Sequence, residues 1–314
     1  MVKRFRFPTA RPFLASLALL ALGALGGLAF DTAPDRQIAH RAGYRVLEGD
    51  FHAHTAWSDG TLSPFGVVRQ AARRGLDVVA ITEHNTVLPS KAARFYASAL
   101  GGPIVVTGEE ITSSRFHIIA VGLADTVTPK GDAQKAIDEV HAQGGVAIAA
   151  HPVSRFWPSL VPVRESFDGA EAMHPIAYGS SGGGWRWPEM IAFRNDAKRP
   201  LTAIGSSDYH AGSVLGICRT LVFVREPANE AAVVDALRDG RTVTFDLDGH
   251  AIGDETLVRA LASEPYTPRT SDYEYRGAGT LDRVLRALGL LGLLGIAFFT
   301  PRRRMVSEAG EPRR

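Results

Sequence analysis

Short apolar runs alternate with amphipathic segments along most of this chain, and most of the runs end in a histidine or a carboxylate. The runs are RVLEGDFHAH, DVVAITEHN, IVVTGEEIT, FHIIAVGL, VAIAAHPV, GAEAMH and LTAIGSSDYH. Between many of them lie segments such as SPFGVVRQAARRG, AQKAIDEVHAQGG and ANEAAVVDALRDG, with apolar residues at helical spacing. Strand followed by helix, repeated this often, predicts an α/β fold with a largely parallel sheet, either a barrel or doubly wound. Gly75, Gly144 and Gly240 stand where those helices should end. At 314 residues and 45% hydrophobic content the chain can bury one large core.

The polar ends of the runs carry the chemistry. His52 and His54 close the first run, Glu83 and His84 the second, and Glu109 and Glu110 the third. His117 opens the fourth, His151 and His174 close later ones, and Asp208 and His210 close the last. Of ten histidines only His40, His141 and His250 fall outside this pattern. Parallel α/β folds build their sites at strand C-termini, so these residues should converge. In a strand, residues two apart share a face, so His52 and His54 can hold one cation while Ala53 faces away. Asp59, in the turn that follows, can fold back over the same mouth. Imidazole and carboxylate together suit first-row dications such as Zn, Mn or Fe. The single cysteine, Cys218, excludes a disulfide framework and a thiolate zinc site, which favours an open catalytic centre over a closed structural one.

The stretches HAHTAWSDG, ITEHN, GEEIT with FHIIAVG, AAHP and GSSDYHAG occur in the order and spacing of the PHP (polymerase and histidinol phosphatase) family. From about Val46 to Gly212 the chain resembles that family. The resemblance implies a distorted (β/α)7 barrel, here over residues 44–247, with two or three divalent ions (Mn, Fe or Zn) at its C-terminal mouth. It also implies hydrolysis of phosphoesters. Carried over by position, His52, His54, Glu110 and Asp208 hold one metal. Glu110, His117 and His151 hold a second, bridged by Glu110, and Asp59, His84 and His210 hold a third. The catalytic burden falls on His52, His54, Glu110, Asp208 and His210. The family pattern G-x-E selects Glu110 over Glu109, and the two must face opposite sides of a strand. Three positions depart from the family pattern: Glu83 where Asp is usual, Tyr209 within GSSDYH, and His174 where Asn often stands. His174 is either a substrate contact or a barrel-mouth residue. Arg155, Arg186 and Arg219 are candidates for holding a phosphate, each against the alternative of a surface arginine. Trp185 and Trp187 beside GSSGGGW form either a lid or ordinary packing.

Two cations roughly 3.5–4 Å apart would lower the pKa of a shared water, so that its hydroxide attacks phosphorus and no protein nucleophile is required. The expected function is hydrolysis of a small phosphomonoester, nucleotide or short phosphodiester. The alternatives are an amidohydrolase-like action on a non-phosphate bond and a metal-binding ectodomain without turnover. Net charge is +2 and the basic residues cluster at the two ends. The barrel portion shows no basic patch interleaved with aromatics, so a small phosphorylated substrate is expected and a nucleic-acid polymer is not. No oligomeric state follows from the sequence.

The ends differ from the middle. Phe13 to Phe30 carries no charge and follows Lys3, Arg4, Arg6 and Arg11. Ala287 to Phe299 is a second uncharged run, lengthened by Val284 and Leu285 if Arg286 turns towards headgroups. Residues 13–30 and 284–300 are expected to be transmembrane helices, the first alternatively a cleaved signal peptide. Basic tails 1–12 and 301–314 would then lie in the cytoplasm and the barrel outside it, on the periplasmic side. Gly23 and Gly27 on the first run, with Gly289, Gly292 and Gly295 on the second, allow close backbone packing. Residues 248–282 read as an irregular connector.

Overall fold

A computed structural model describes residues 10–30, 38–175, 187–211, 213–246, 248–264 and 280–300. The chain divides into two compact units, one over Ala33–Tyr275 and one combining Met1–Thr32 with Arg276–Arg314. The smaller unit holds α1 (Ala10–Phe30) and, at the other end of the chain, α9. The larger unit runs β1 (Ala39–Arg41), β2 (Tyr44–Asp50), α2 (Pro64–Arg73), β3 (Val78–Ile81), α3 (Leu88–Leu100), β4 (Ile104–Thr112) and β5 (His117–Val121). It continues with α4 (Ala133–Ala142), β6 (Val146–Ala149), α5 (Trp157–Leu160), β7 (Gly169–Met173), α6 (Trp187–Asn195) and β8 (Thr202–Gly205). Last come β9 (Thr220–Val224), α7 (Glu230–Arg238), β10 (Thr242–Phe245), β11 (Ala251–Gly253) and α8 (Glu255–Ser263), before α9 (Thr280–Phe299).

Local chemistry fixes the helix ends. Ser63, Asp132, Asn229 and Asp254 each accept a backbone N–H from the first turn of α2, α4, α7 and α8. Gly75, Gly144 and Gly240 follow α2, α4 and α7 with φ of 71°, 75° and 74°, the left-handed exit that a side chain would oppose.

The strands form one sheet in the order β11-β10-β9-β2-β3-β4-β5-β6-β7-β8, with β1 paired to β2. The ladders β2–β3, β3–β4, β6–β7 and β7–β8 are parallel. The ladders β4–β5, β5–β6, β2–β9 and β9–β10 are antiparallel, so the sheet is mixed and not largely parallel as the alternation predicted. The reason at β4–β5 is length. Four residues, Ser113 to Phe116, join the two strands, and a parallel crossover needs about a dozen. The sheet curls until β8 approaches β9 and β10, where threonine hydroxyls bridge the gap. Thr220 Oγ1 donates to the Gly205 carbonyl at 2.8 Å and accepts its N–H at 2.9 Å, and Thr242 Oγ1 donates to the Ala203 carbonyl at 2.8 Å. The result is a nearly closed barrel.

Alternation along the strands sorts the core into layers. Val78 and Ala80 pack with the α7 residues Val233, Val234, Ala236 and Leu237, while Val79 and Ile81 pack outward with residues of α2 and α3. Val106, Ile119, Val121, Val146 and Ile148 share the α7 cluster, so α7 closes one end of the barrel with hydrocarbon. Residues 248–264, expected to be irregular, instead pair β11 with β10 and lay Leu257 and Leu261 of α8 on Val46, Leu221, Phe223 and Val243.

In the smaller unit the glycine expectation holds. A Cβ built on Gly23 would lie 2.3 Å from Gly289 Cα, and one on Gly292 would lie 2.4 Å from the Leu20 nitrogen, so the backbones of α1 and α9 touch. The expected spans fare differently: among the described residues no helix is long and apolar enough to cross a membrane. Charge is the cause in α9, where Asp282, Arg283 and Arg286 occupy the first two turns and leave thirteen uncharged residues.

Candidate active site

Glu109 and Glu110 show how the fold builds the site. Both lie on β4 and both are buried, but Glu110 shares the parity of Val106 and so points into the barrel, while Glu109 points out. Five imidazoles face Glu110. Its Oε1 lies 2.8 Å from His117 Nδ1, 3.4 Å from His151 Nε2 and 3.6 Å from His52 Nε2. Its Oε2 lies 2.9 Å from His84 Nδ1 and 3.6 Å from His54 Nε2.

Asp208 closes the other side. Its Oδ1 lies 3.1 Å from His52 Nε2 and 3.2 Å from His54 Nε2, and those two nitrogens are 3.1 Å apart. Its Oδ2 is 3.2 Å from His174 Nε2. Asp59 faces a third set: His84 Nε2 at 3.2 Å, His210 Nε2 at 3.1 Å and His54 Nδ1 at 3.6 Å. The nine ligand candidates, His174 and Arg155 can now be placed. Nine carryover ligands and His174 form one continuous cluster, while Arg155 stands at its side, exposed, with its guanidinium 4.3 Å from the Phe156 ring centroid. Phe156 in turn packs 5.1 Å from His117 and 5.6 Å from His151.

The grouping departs in detail from the expected one. His84 touches both Asp59 and Glu110, so the Asp59 set is not insulated from the Glu110 set. His174 takes its place at the barrel mouth, grouped with His52, His151 and Asp208. Arg219 is not a phosphate ligand: it is buried against Glu48 at 2.7 Å and donates to the carbonyls of Gly216 and Arg74. Tyr209 turns away, its hydroxyl 3.0 Å from Thr61 Oγ1 and its ring in the outer layer. Trp185 and Arg186 lie outside the described residues, and Trp187 packs against the outer core.

Four polar residues outside the expected ligand set support the site, Glu83 among them, which the sequence marked only as a departure from the family pattern. Glu171, in the middle of β7, takes His52 Nδ1 at 3.0 Å, the Ser206 hydroxyl and the His151 N–H, so the other nitrogen of His52 faces Glu110 and Asp208. Asp50 accepts from the N–H groups of His52, Ser207 and Gly216, tying the end of β2 to the loop bearing Asp208 and His210. Thr112 Oγ1 lies 2.7 Å from His84 Nδ1. Glu83 accepts from Thr55 N–H and the Ser58 hydroxyl. The available signal was a carboxylate set inside an apolar run, which is costly unless partners await it.

Electrostatics agree with the packing. Burial alone would raise Glu110, yet His52 and the hydrogen bonds from His117 and His151 hold it well below the usual carboxylate range. Asp208 behaves alike, with His52, His174 and His54 outweighing burial. Glu171 is buried too, but His174 and His52 hold it at about 2. His52 is pushed well up despite burial, by Asp208, Glu171 and Glu110. His84 rises to about 9, mainly through its hydrogen bond to Glu110. Two candidates also hold unusual backbone: His151 at φ 27° and Asp208 at φ 45°.

The donor set fits a divalent metal centre. It is all imidazole and carboxylate, with no thiolate. Its atoms stand 3.1–3.6 Å apart around His52, His54, Glu110 and Asp208, near the roughly 3.0–3.4 Å between ligands that share an ion at 2.0–2.1 Å. The buried nitrogens His54 Nδ1 and His151 Nδ1 have no hydrogen-bond partner.

No family model matches the sequence. An uncharacterised protein of Methanocaldococcus jannaschii is 32% identical over 126 residues, covering 36% of this chain and 72% of that one. A solved two-domain protein of Bacteroides vulgatus, containing a predicted PHP-like metal-dependent phosphoesterase, superposes with a TM-score of 0.60 at 26% identity over 74% of each chain. The chain belongs to the PHP family of metal-dependent phosphoesterases. Two further relatives are a Haemophilus influenzae 5'-3' exoribonuclease and an Eggerthella lenta phosphoribosyl 1,2-cyclic phosphate 1,2-diphosphodiesterase. The first is 34% identical over 30% of this chain and 36% of its own length, the second 35% identical over 24% and 31%. The chain thus spans about a third of each. Strand parity explains why Glu110, and not Glu109, points inward.

Proposed function

We propose that this chain hydrolyses a small phosphorylated substrate (a phosphomonoester, nucleotide or short phosphodiester) at a divalent metal centre in the barrel mouth. The observation that carries the reading is Glu110, a buried carboxylate facing five imidazoles within 3.6 Å. His52, His54, Glu110 and Asp208 would hold one ion, Glu110, His117 and His151 a second, and Asp59, His84 and His210 a third. Bound divalent ions would supply Lewis-acid polarisation of a phosphoryl oxygen and an acidified water. The chain's own residues do the rest. Glu171 and Asp50 fix the imidazole orientation and the loop, and the exposed Arg155 offers a fork to a phosphate oxygen beside His117 and His151. Relatives named for an RNA and for a cyclic phosphate support phosphate chemistry.

The test is phosphate release from a broad phosphoester panel by purified protein supplied with Mn, Fe or Zn. Chelator-sensitive release is expected. Protein that binds no metal, or fully loaded protein inert on the whole panel, overturns the reading. Activity confined to RNA ends would keep the chemistry and replace the substrate class.

The finer location is also our proposal: although no described helix is by itself long and apolar enough to cross, the α1–α9 pair tethers the protein to a membrane with the barrel on the extracytoplasmic side, Arg286 turning towards the headgroups to lengthen the apolar part of α9. The pair buries glycine within and exposes Leu14, Leu25, Leu290, Leu294 and Phe298, the arrangement of helices that meet lipid. A periplasm-active reporter should work after Ala262 and fail after Arg314. Full release of the protein by alkaline carbonate, or a reporter active at both points, refutes the tether.

A further inference from the structure

Asp59 poses a problem of position. It sits on an exposed turn with half of its side-chain surface in solvent, yet its carboxylate must face His84, His210 and His54. Solvated carboxylates on turns sample several rotamers, and ordering one costs side-chain entropy. The turn itself hangs on Thr55, whose carbonyl takes the N–H groups of Ser58 and Gly60 and whose Oγ1 takes that of Trp57. Something must therefore hold Thr55 and Ser58.

Glu83 is fully buried, belongs to none of the ligand groups, and spends both oxygens on this turn. Its Oε1 accepts Thr55 N–H at 2.5 Å and its Oε2 accepts the Ser58 hydroxyl. Ser58 Oγ also lies 3.1 Å from Asp59 Oδ1, and its one proton goes to Glu83, so Glu83 fixes the hydroxyl that stands beside the Asp59 carboxylate. Gly60 completes the turn, because a Cβ there would meet the His54 carbonyl at 2.4 Å. His84, the residue after Glu83, meets Asp59 from the other side at 3.2 Å.

We propose that Glu83 is a positioning residue: through Thr55 and Ser58 it holds Asp59 against His84 and His210, and so sets the affinity of that one group for a divalent ion. It acts by geometry and not by its charge. The inference rests on the metal-centre reading above, but it is tested by metal binding alone.

The experiment is calorimetric titration of metal-free full-length protein with Mn²⁺ or Zn²⁺. Glu83→Ala should weaken one metal equivalent about ten- to a hundredfold and leave the others. Glu83→Gln should bind like wild type, since its amide oxygen can take Thr55 N–H while its N–H donates to Ser58, whose proton then turns to Asp59. In an Asp59→Asn background, Glu83→Ala should add little. Glu83→Gln as damaging as Glu83→Ala would make the charge essential and overturn the proposal. So would an Glu83→Ala effect that adds in full to Asp59→Asn, or unchanged affinity in Glu83→Ala. If Glu83→Ala fails to fold, the exposed Ser58→Ala enters the same cycle, and an absent or additive effect there overturns the proposal equally. Wild-type protein that binds no metal defeats the proposed function instead, a distinct outcome.

Discussion

Glu109 and Glu110 are neighbours on one strand, both without solvent contact, and they end in opposite states. On the barrel's inner side Glu110 meets five imidazoles and is held well below the ordinary carboxylate range. On the outer side Glu109 receives one N–H, from Val127 at 2.6 Å, and burial pushes it up to about 7 against that bond and Lys130. Burial is common to both, so burial does not make a ligand. What separates them is the number of cationic and N–H partners waiting on each face of β4.

The comparison breaks first at Glu110. Glu110→Ala should lose on the order of 10³-fold or more in turnover and its share of bound metal, with far-UV circular dichroism unchanged; a variant keeping a tenth of wild-type turnover would remove Glu110 from the centre. His210→Ala comes next. It should lose most activity and one metal equivalent by elemental analysis, with the remainder retained, whereas loss of all metal at once would show that the contact of His84 with both Asp59 and Glu110 fuses the groups. Glu171→Gln is expected to cost about 10–100-fold in metal affinity or kcat/KM, because His52 loses the partner that orients it. Unchanged kinetics would mean that packing alone orients the ring.

The smallest effect sits on the outer face. Glu109→Gln should keep activity within about twofold, since no ligand contact changes. Its signature is a pH dependence of stability in metal-free protein. The folded carboxyl, raised to about 7 from 4.5, binds its proton more tightly than the unfolded chain does. Wild-type stability from this group is therefore present below about pH 4.5 and lost as pH rises through 7. The melting-temperature advantage of Glu109→Gln over wild type should grow across that window and then level off. A flat difference would show that the buried carboxyl is not raised.

The site was legible because strand C-termini collect on one end of the barrel. Nine ligand candidates separated by up to 158 residues in sequence converge as expected, and the G-x-E choice agrees with the parity of Val106 and Glu110. What stayed hidden depends on contacts between elements. Nothing near Glu171 in sequence announces that its partners are His52, Ser206 and His151. Two misses were readable. The four residues between Thr112 and His117 forbid a helical crossover, and DETLVRAL carries an N-cap aspartate with leucines four apart, which is α8.

The left-handed backbone at His151 and Asp208 has a consequence for how the mouth can be dissected. At φ 27° and 45°, any side chain with a Cβ other than Asn, Asp or His raises the energy of the backbone itself, by about 1–2 kcal/mol. Alanine at these two positions therefore reports two quantities at once, a missing candidate ligand and a reluctant main chain. Asparagine separates them, since it accepts the same conformation while changing the donor atoms. The mouth is thus a place where the identity of a residue is constrained twice, once by the carboxylates and imidazoles it faces and once by the bend it must hold.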